Sequence, residues 1–228
     1  MPQLDLNQNG VHSTSKFTSI KTILAMDYIT NGDSGNKVLI LAHGAGAPMD
    51  SDFMNIVAEG IAVHGIQVVR FEFPYMQQRR LTGKKRPPDR LPVLLDCWQQ
   101  VISDFGDAEN LIIGGKSMGG RMASLIAAQQ RVRGLVCLGY PFHPAGKPDR
   151  LRTEHLPQIT SPTLVVQGDR DKLGNREEVA NYDLPPDARV SWLTDGDHDF
   201  KPRVKSGYTH QQHLMTTVQA ITDFVHSC

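Results

Sequence analysis

Apolar positions along the chain fall in two alternating patterns. Residues 37–43 (KVLILAH) form a short continuous apolar run closed by a glycine turn, as expected of a strand covered on both faces. Residues 51–64 place Phe53, Ile56, Val57 and Ile61 on one helical face, with Asp50 or Ser51 as cap. The alternation continues with strands over 67–73 (QVVRFEF), 110–115 (NLIIGG), 134–140, 163–167 and 189–193. Helices are predicted over 94–105, 118–130 and 210–226. Residues 17–29 read as an early strand or hairpin. Strands alternating with helices predict an α/β fold with a mostly parallel central sheet and helices on both faces. No repeat or low-complexity linker interrupts the 228 residues. A single domain over 1–228 is expected, with 1–16 a poorly structured extension.

Two segments break the rhythm: 76–90 (MQQRRLTGKKRPPDR) and 141–160 (PFHPAGKPDRLRTEHLPQIT). Each is polar, carries prolines and follows a strand. They read as loops on the carboxyl edge of a parallel sheet, where such sheets bind ligands. Only about twenty residues separate the strand ending at Tyr140 from the next, which leaves no room for a large cap and disfavours a long-chain lipase.

Gly115-Lys116-Ser117-Met118-Gly119 is a G-x-S-x-G placed between an apolar strand and a helix. A turn that tight strains the serine backbone and needs small neighbours. It also points backbone N–H groups of a helix N-terminus at the site. A serine hydroxyl needs a base, and the base an orienting acid. Gly168-Asp169-Arg170-Asp171 and Asp195-Gly196-Asp197-His198-Asp199 each follow a strand on the same edge. His198 is therefore the candidate base and Asp171 the candidate acid. Asp169 is the rival acid, better placed to stabilise the turn. The oxyanion hole is expected from the N–H of Met118 and one from the loop His43-Gly44-Ala45-Gly46-Ala47. Ala45 is the first candidate, Gly46 the second, and Gly44 and Gly46 are expected to contact substrate. His43 reads as a buried residue shaping the loop.

HGAG, GKSMGG, QGDRD and GDHD, in this order, resemble the α/β-hydrolase superfamily. RFEFPY, KRPPD, YPFHPAGKP, LRTEHL and DGDHDFKP resemble a compact group within it: small bacterial hydrolases of unassigned substrate, a testis-expressed hydrolase-like protein and a subunit of the non-specific-lethal chromatin complex. Over residues 37–227 the resemblance implies the α/β-hydrolase fold and a triad of Ser117, Asp171 and His198, and it supplies no substrate. The residues themselves are expected to hydrolyse an ester or thioester, with no metal or organic cofactor required. Some relatives act as scaffold subunits, so a non-catalytic interaction module on the same scaffold is the alternative.

Charge refines this picture. Lys+Arg and Asp+Glu are both 24, yet 76–90 carries six basic and one acidic residue, and 199–206 three basic and one acidic. The excess over candidate rim loops suggests an anionic small-molecule substrate. Arg152 and Lys201 are candidate substrate contacts. Arg70 and Glu72, two apart in a strand taken as central, either pair beneath the site or let Arg70 reach an anion. His210-x-x-His213 reads as a solvated helix face. Nucleic acid is not expected, because the basic segments lack interleaved aromatics. No apolar run is long enough to cross a membrane. The N-terminus shows no secretory signal. Cys97, Cys137 and Cys228 have no close pair, which suits a reducing cytoplasm. The oligomeric state is left open.

Overall fold

A computed structural model describes residues 26–35 and 37–228. Among these residues seven strands form one sheet in the order β1-β3-β2-β4-β5-β6-β7. They are β1 (Tyr28–Asn31), β2 (Val38–Ala42), β3 (Gln67–Phe71), β4 (Leu111–Lys116), β5 (Gly134–Leu138), β6 (Thr163–Gly168) and β7 (Ala188–Leu193). β1 runs antiparallel to β3 and every other pairing is parallel. Of the early segment, 17–25 lies outside the described residues. The strand that follows starts at Tyr28.

The helices are α1 (Asp52–Ala62), α2 (Pro74–Thr82), α3 (Leu91–Phe105), α4 (Met118–Gln129), α5 (Arg176–Val179) and α6 (His210–Ser227). Alternation along the strands sorts the core into two layers. Leu39, Leu41, Val68 and Ile112 pack with Val57, Ile61, Val218 and Ile221 of α1 and α6. Ile40, Val69, Phe71 and Ile113 pack with Trp98, Val101, Met122 and Ile126 of α3 and α4. Helices thus cover both faces of the sheet.

Three expectations are corrected. The segment 76–90 is not loop throughout, because α2 occupies its first half. Pro74 starts that helix and Gly83, at φ 67°, ends it in the left-handed conformation. Only Tyr75 and Met76 of α2 are buried, so no apolar period marked it in the sequence. β3 is not central: it lies between β2 and the edge strand β1. Finally, no ion pair joins Arg70 to Glu72. Arg70 Nη1 donates to Met49 O (2.8 Å) and Asn55 Oδ1 (2.6 Å), and its Nη2 to Asn31 Oδ1 (2.7 Å). Glu72 instead accepts from Arg80, at 3.1 and 2.6 Å, and Arg80 also grips Asp50.

Arg70 therefore stitches β1, β3 and the start of α1 together from a buried position. Truncating it to Met strands three acceptors and should lower unfolding free energy by about 2–4 kcal/mol. Urea denaturation reads this loss. A change below about 0.5 kcal/mol would show that the three contacts add nothing net.

Candidate active site

The first turn of α4 follows β4 directly, and Ser117 joins them at φ 52°, ψ −115°. Left-handed backbone is costly for a residue with a Cβ and persists only where the surroundings impose it. Here the close packing of neighbouring backbones imposes it. A Cβ on Gly115 would lie 2.3 Å from Ala42 O, and one on Gly119 would lie 2.4 Å from Ala42 O and 2.6 Å from His43 O. The bond from Ser117 N–H to Leu138 O (2.8 Å) ties the turn to β5.

β4, β6 and β7 are parallel, so Ser117, Asp171 and His198 leave the same sheet edge. His198 Nε2 lies 2.9 Å from Ser117 Oγ, and its Nδ1 lies 2.7 Å from Asp171 Oδ2. A carboxylate only accepts, so Nδ1 carries the proton and Nε2 faces the serine as acceptor. Asp171 is fully buried. Leu173 N–H donates to its Oδ1 (2.8 Å), and Gln167 Nε2 to its Oδ2 (3.0 Å). Asp169 instead anchors its turn through the backbone, donating to Leu193 O and accepting from Arg176 N–H.

The loop bearing His198 is held from several sides. Lys116, inside the G-x-S-x-G, donates from Nζ to His198 O at 2.7 Å. Its ammonium lies 5.7 Å from the ring centroids of both Phe53 and Phe200. Burial lowers the Lys116 pKa, while Asp199 and Asp171 oppose that shift. Phe200, fully buried at φ 64°, anchors the loop. His210 Nε2 donates to Asp199 O (3.0 Å) and His213 Nδ1 to Phe200 O (2.8 Å). The expectation of a solvated histidine pair is therefore corrected. His213 is buried, and both rings fasten α6 to the His198 loop.

His43 shapes the glycine loop. Its Nδ1 donates to Gly44 O (2.7 Å) and its Nε2 accepts from Phe73 N–H (3.1 Å), a pattern that only the neutral ring satisfies. Burial lowers its pKa accordingly. Tyr75 Oη donates to Ala45 O at 3.0 Å and lies 3.4 Å from Gly44 O. A trans peptide points its N–H opposite its C=O. Holding Gly44 O against His43 and Tyr75 thus turns the Ala45 N–H the other way. Met118 is the first residue of α4, so its N–H has no partner within the helix.

Ser117 lies where two depressions meet. One, of about 410 Å³, includes Gly44, Ala45, Gly46, Lys116 and His198. The other, of about 520 Å³, includes Ala45, Met118, Arg121 and Arg152. Lys201 and Arg70 line neither. Lys201 lines a separate depression with Val204 and Tyr208. Arg203 is engaged by Asp195. Arg79, Arg80, Lys84 and Lys85 surround a further depression that does not include Ser117.

Arg121, Lys116 and Gln167 carry little signal in the sequence. Arg121 stands four residues after the serine, which is one helical turn. Lys116 and Gln167 are polar residues at the ends of otherwise apolar strands, and that placement was their only signal.

The chain belongs to the alpha/beta hydrolase family: residues 35–226 match the alpha/beta hydrolase domain. Solved structures carry the same fold. A lidless α/β serine hydrolase from Xanthomonas campestris is 19% identical with a TM-score of 0.62, over 89% of this chain and 88% of that one. A dienelactone hydrolase from Anabaena variabilis is 18% identical with a TM-score of 0.63, over 90% and 93%. Est1E from Butyrivibrio proteoclasticus, solved with ferulic acid bound, is 16% identical with a TM-score of 0.66, over 89% and 94%.

The backbone packing makes a direct prediction. Gly119→Ala should destabilise the protein by about 1–3 kcal/mol, because rigid carbonyls oppose the new Cβ. Gly46→Ala, whose Cβ would meet nothing within 4 Å, should cost less than about 0.5 kcal/mol. Paired urea denaturation curves measure both, and equal costs would refute the close-approach account.

Proposed function

We propose that the protein is a serine hydrolase of small esters or thioesters, working through Ser117, His198 and Asp171. One observation carries the reading: the unbroken line Ser117 Oγ, His198 Nε2, His198 Nδ1, Asp171 Oδ2, with links of 2.9 and 2.7 Å. In this reading Ser117 Oγ attacks the carbonyl carbon while His198 Nε2 takes its proton. Asp171 keeps the ring in the accepting tautomer and stabilises its charged form. The N–H groups of Met118 and Ala45 receive the developing oxyanion. Protonated His198 then gives its proton to the leaving oxygen or sulfur. Water, deprotonated by the same nitrogen, releases the acyl group and restores Ser117.

The interaction-module alternative would not require this alignment. The three cysteines are free thiols, in keeping with a cytoplasmic setting. No described helix is long and apolar enough to cross a membrane.

A fluorophosphonate probe should label the wild-type protein at Ser117, and Ser117→Ala should abolish both labelling and hydrolysis of small p-nitrophenyl esters. Unchanged turnover in Ser117→Ala would remove the mechanism. Asp171→Asn should lower turnover by about three to four orders of magnitude, and Asp169→Asn far less. The reverse ranking, read by the same ester assay, would transfer the orienting role to Asp169.

A further inference from the structure

The larger depression beside Ser117 holds two guanidinium groups that have no ion-pair or side-chain hydrogen-bond partner among the described residues. Arg121 lies one turn along α4 from the serine, and its backbone N–H donates to Ser117 O at 3.0 Å. Its side-chain Nε is buried without a partner. Arg152 enters from the segment after β5. Its N–H donates to Phe142 O (2.8 Å) and its carbonyl accepts from Tyr140 Oη (2.9 Å). Both arginine backbones are therefore fixed in place.

Their surroundings do not cancel this charge. Burial, and then repulsion from Arg121, hold the Arg152 pKa below its ordinary value. His155, bonded through Nε2 to Ser124 Oγ at 2.7 Å, is pushed down to about 4 by burial and by Arg121. It is thus neutral at physiological pH. Among the described residues Asp89 is the one acidic residue lining the depression, and its Oδ2 already accepts from Tyr75 N–H at 2.8 Å. Much of the remaining wall is apolar, with Leu94, Met118, Met122 and Leu173 among its residues.

Two unpaired guanidiniums above an apolar wall match a short carbon chain that ends in a carboxylate. The planar guanidinium fork binds both oxygens of that group, and partly buried charges are screened less by salt than exposed ones. We propose that Arg121 and Arg152 form a carboxylate-binding subsite, so that the preferred substrate is an ester bearing a free carboxylate on the part lying in this depression. The inference rests on the hydrolase reading for its substrate. It relocates the anion preference from the rim residues Arg79–Lys85 to the cleft itself.

The test compares carboxylate esters with their carboxamide isosteres in two series. Monoethyl glutarate puts the carboxylate on the acyl side, and 4-acetoxybutanoate puts it on the alcohol side. In at least one series kcat/KM should favour the carboxylate by about tenfold or more, and the ratio should persist at 0.15 M salt. Arg121→Gln/Arg152→Gln should bring it towards one, while Arg79→Gln/Lys85→Gln should leave it in place. Ratios near one in both series, or loss of the preference only in the rim variant, would overturn the subsite.

A binding measurement separates this inference from the hydrolase reading. Ser117→Ala protein, titrated with the same four compounds by NMR, should bind a carboxylate more tightly than its amide. That difference should vanish when Arg121 and Arg152 are also changed to Gln. Fluorophosphonate labelling of the wild type without any such difference overturns the subsite and leaves the hydrolase standing. Carboxylate binding without labelling supports the subsite and overturns the hydrolase.

Discussion

The first turn of α4 comes so near the end of β2 that the Ala42 carbonyl fills the space a Cβ would need at both Gly115 and Gly119. The rest of the site depends on this approach. Between these two glycines Ser117 holds a positive φ, a strained turn at the end of β4. The approach also sets the N-terminus of α4 beside the glycine loop after β2, where the Met118 and Ala45 peptides share one depression with the serine.

A second set of constraints brings the histidine to that hydroxyl. His198 sits in a loop, and loops are mobile unless anchored. This loop is held by a lysine from the Ser117 turn, by the buried Phe200 ring and by two histidines of α6. Lys116 connects the two halves, because one residue belongs to the serine turn and also holds the carbonyl of His198. The cost of burying its ammonium is offset by that carbonyl, by Asp199 and by two aromatic rings. Gln167 plays the matching part for Asp171, holding it against Gly174 and Tyr140.

Charge separates along the carboxyl edge. Arg80 and Arg203 are committed to Asp50, Glu72 and Asp195, so part of the basic excess in the rim is structural. Arg121 and Arg152, among the described residues lining a depression with Ser117, have no ion-pair partner of this kind. Sequence totals over a loop count all of these alike, because a charge's partner is set by three-dimensional neighbours that local composition does not report.

The sequence by itself determined the strand–helix alternation, the strained serine between glycines, and the placement of Asp171 and His198 after later strands. Each of these is local: continuous apolar runs mark buried strands, and G-x-S-x-G names a turn only small residues permit. α2 was hidden because its sequence, PYMQQRRLT, buries two residues and shows no apolar period. Tertiary structure alone decided which carboxylate meets His198, that Arg70 ties β1 to α1 and does not pair with Glu72, that His213 is buried, and that Lys201 lines a different depression from Ser117. It also decided that Arg121 stands beside Arg152. These facts depend on which side chains the sheet order and helix packing bring together from distant parts of the chain, and spacing along the chain carries no record of that.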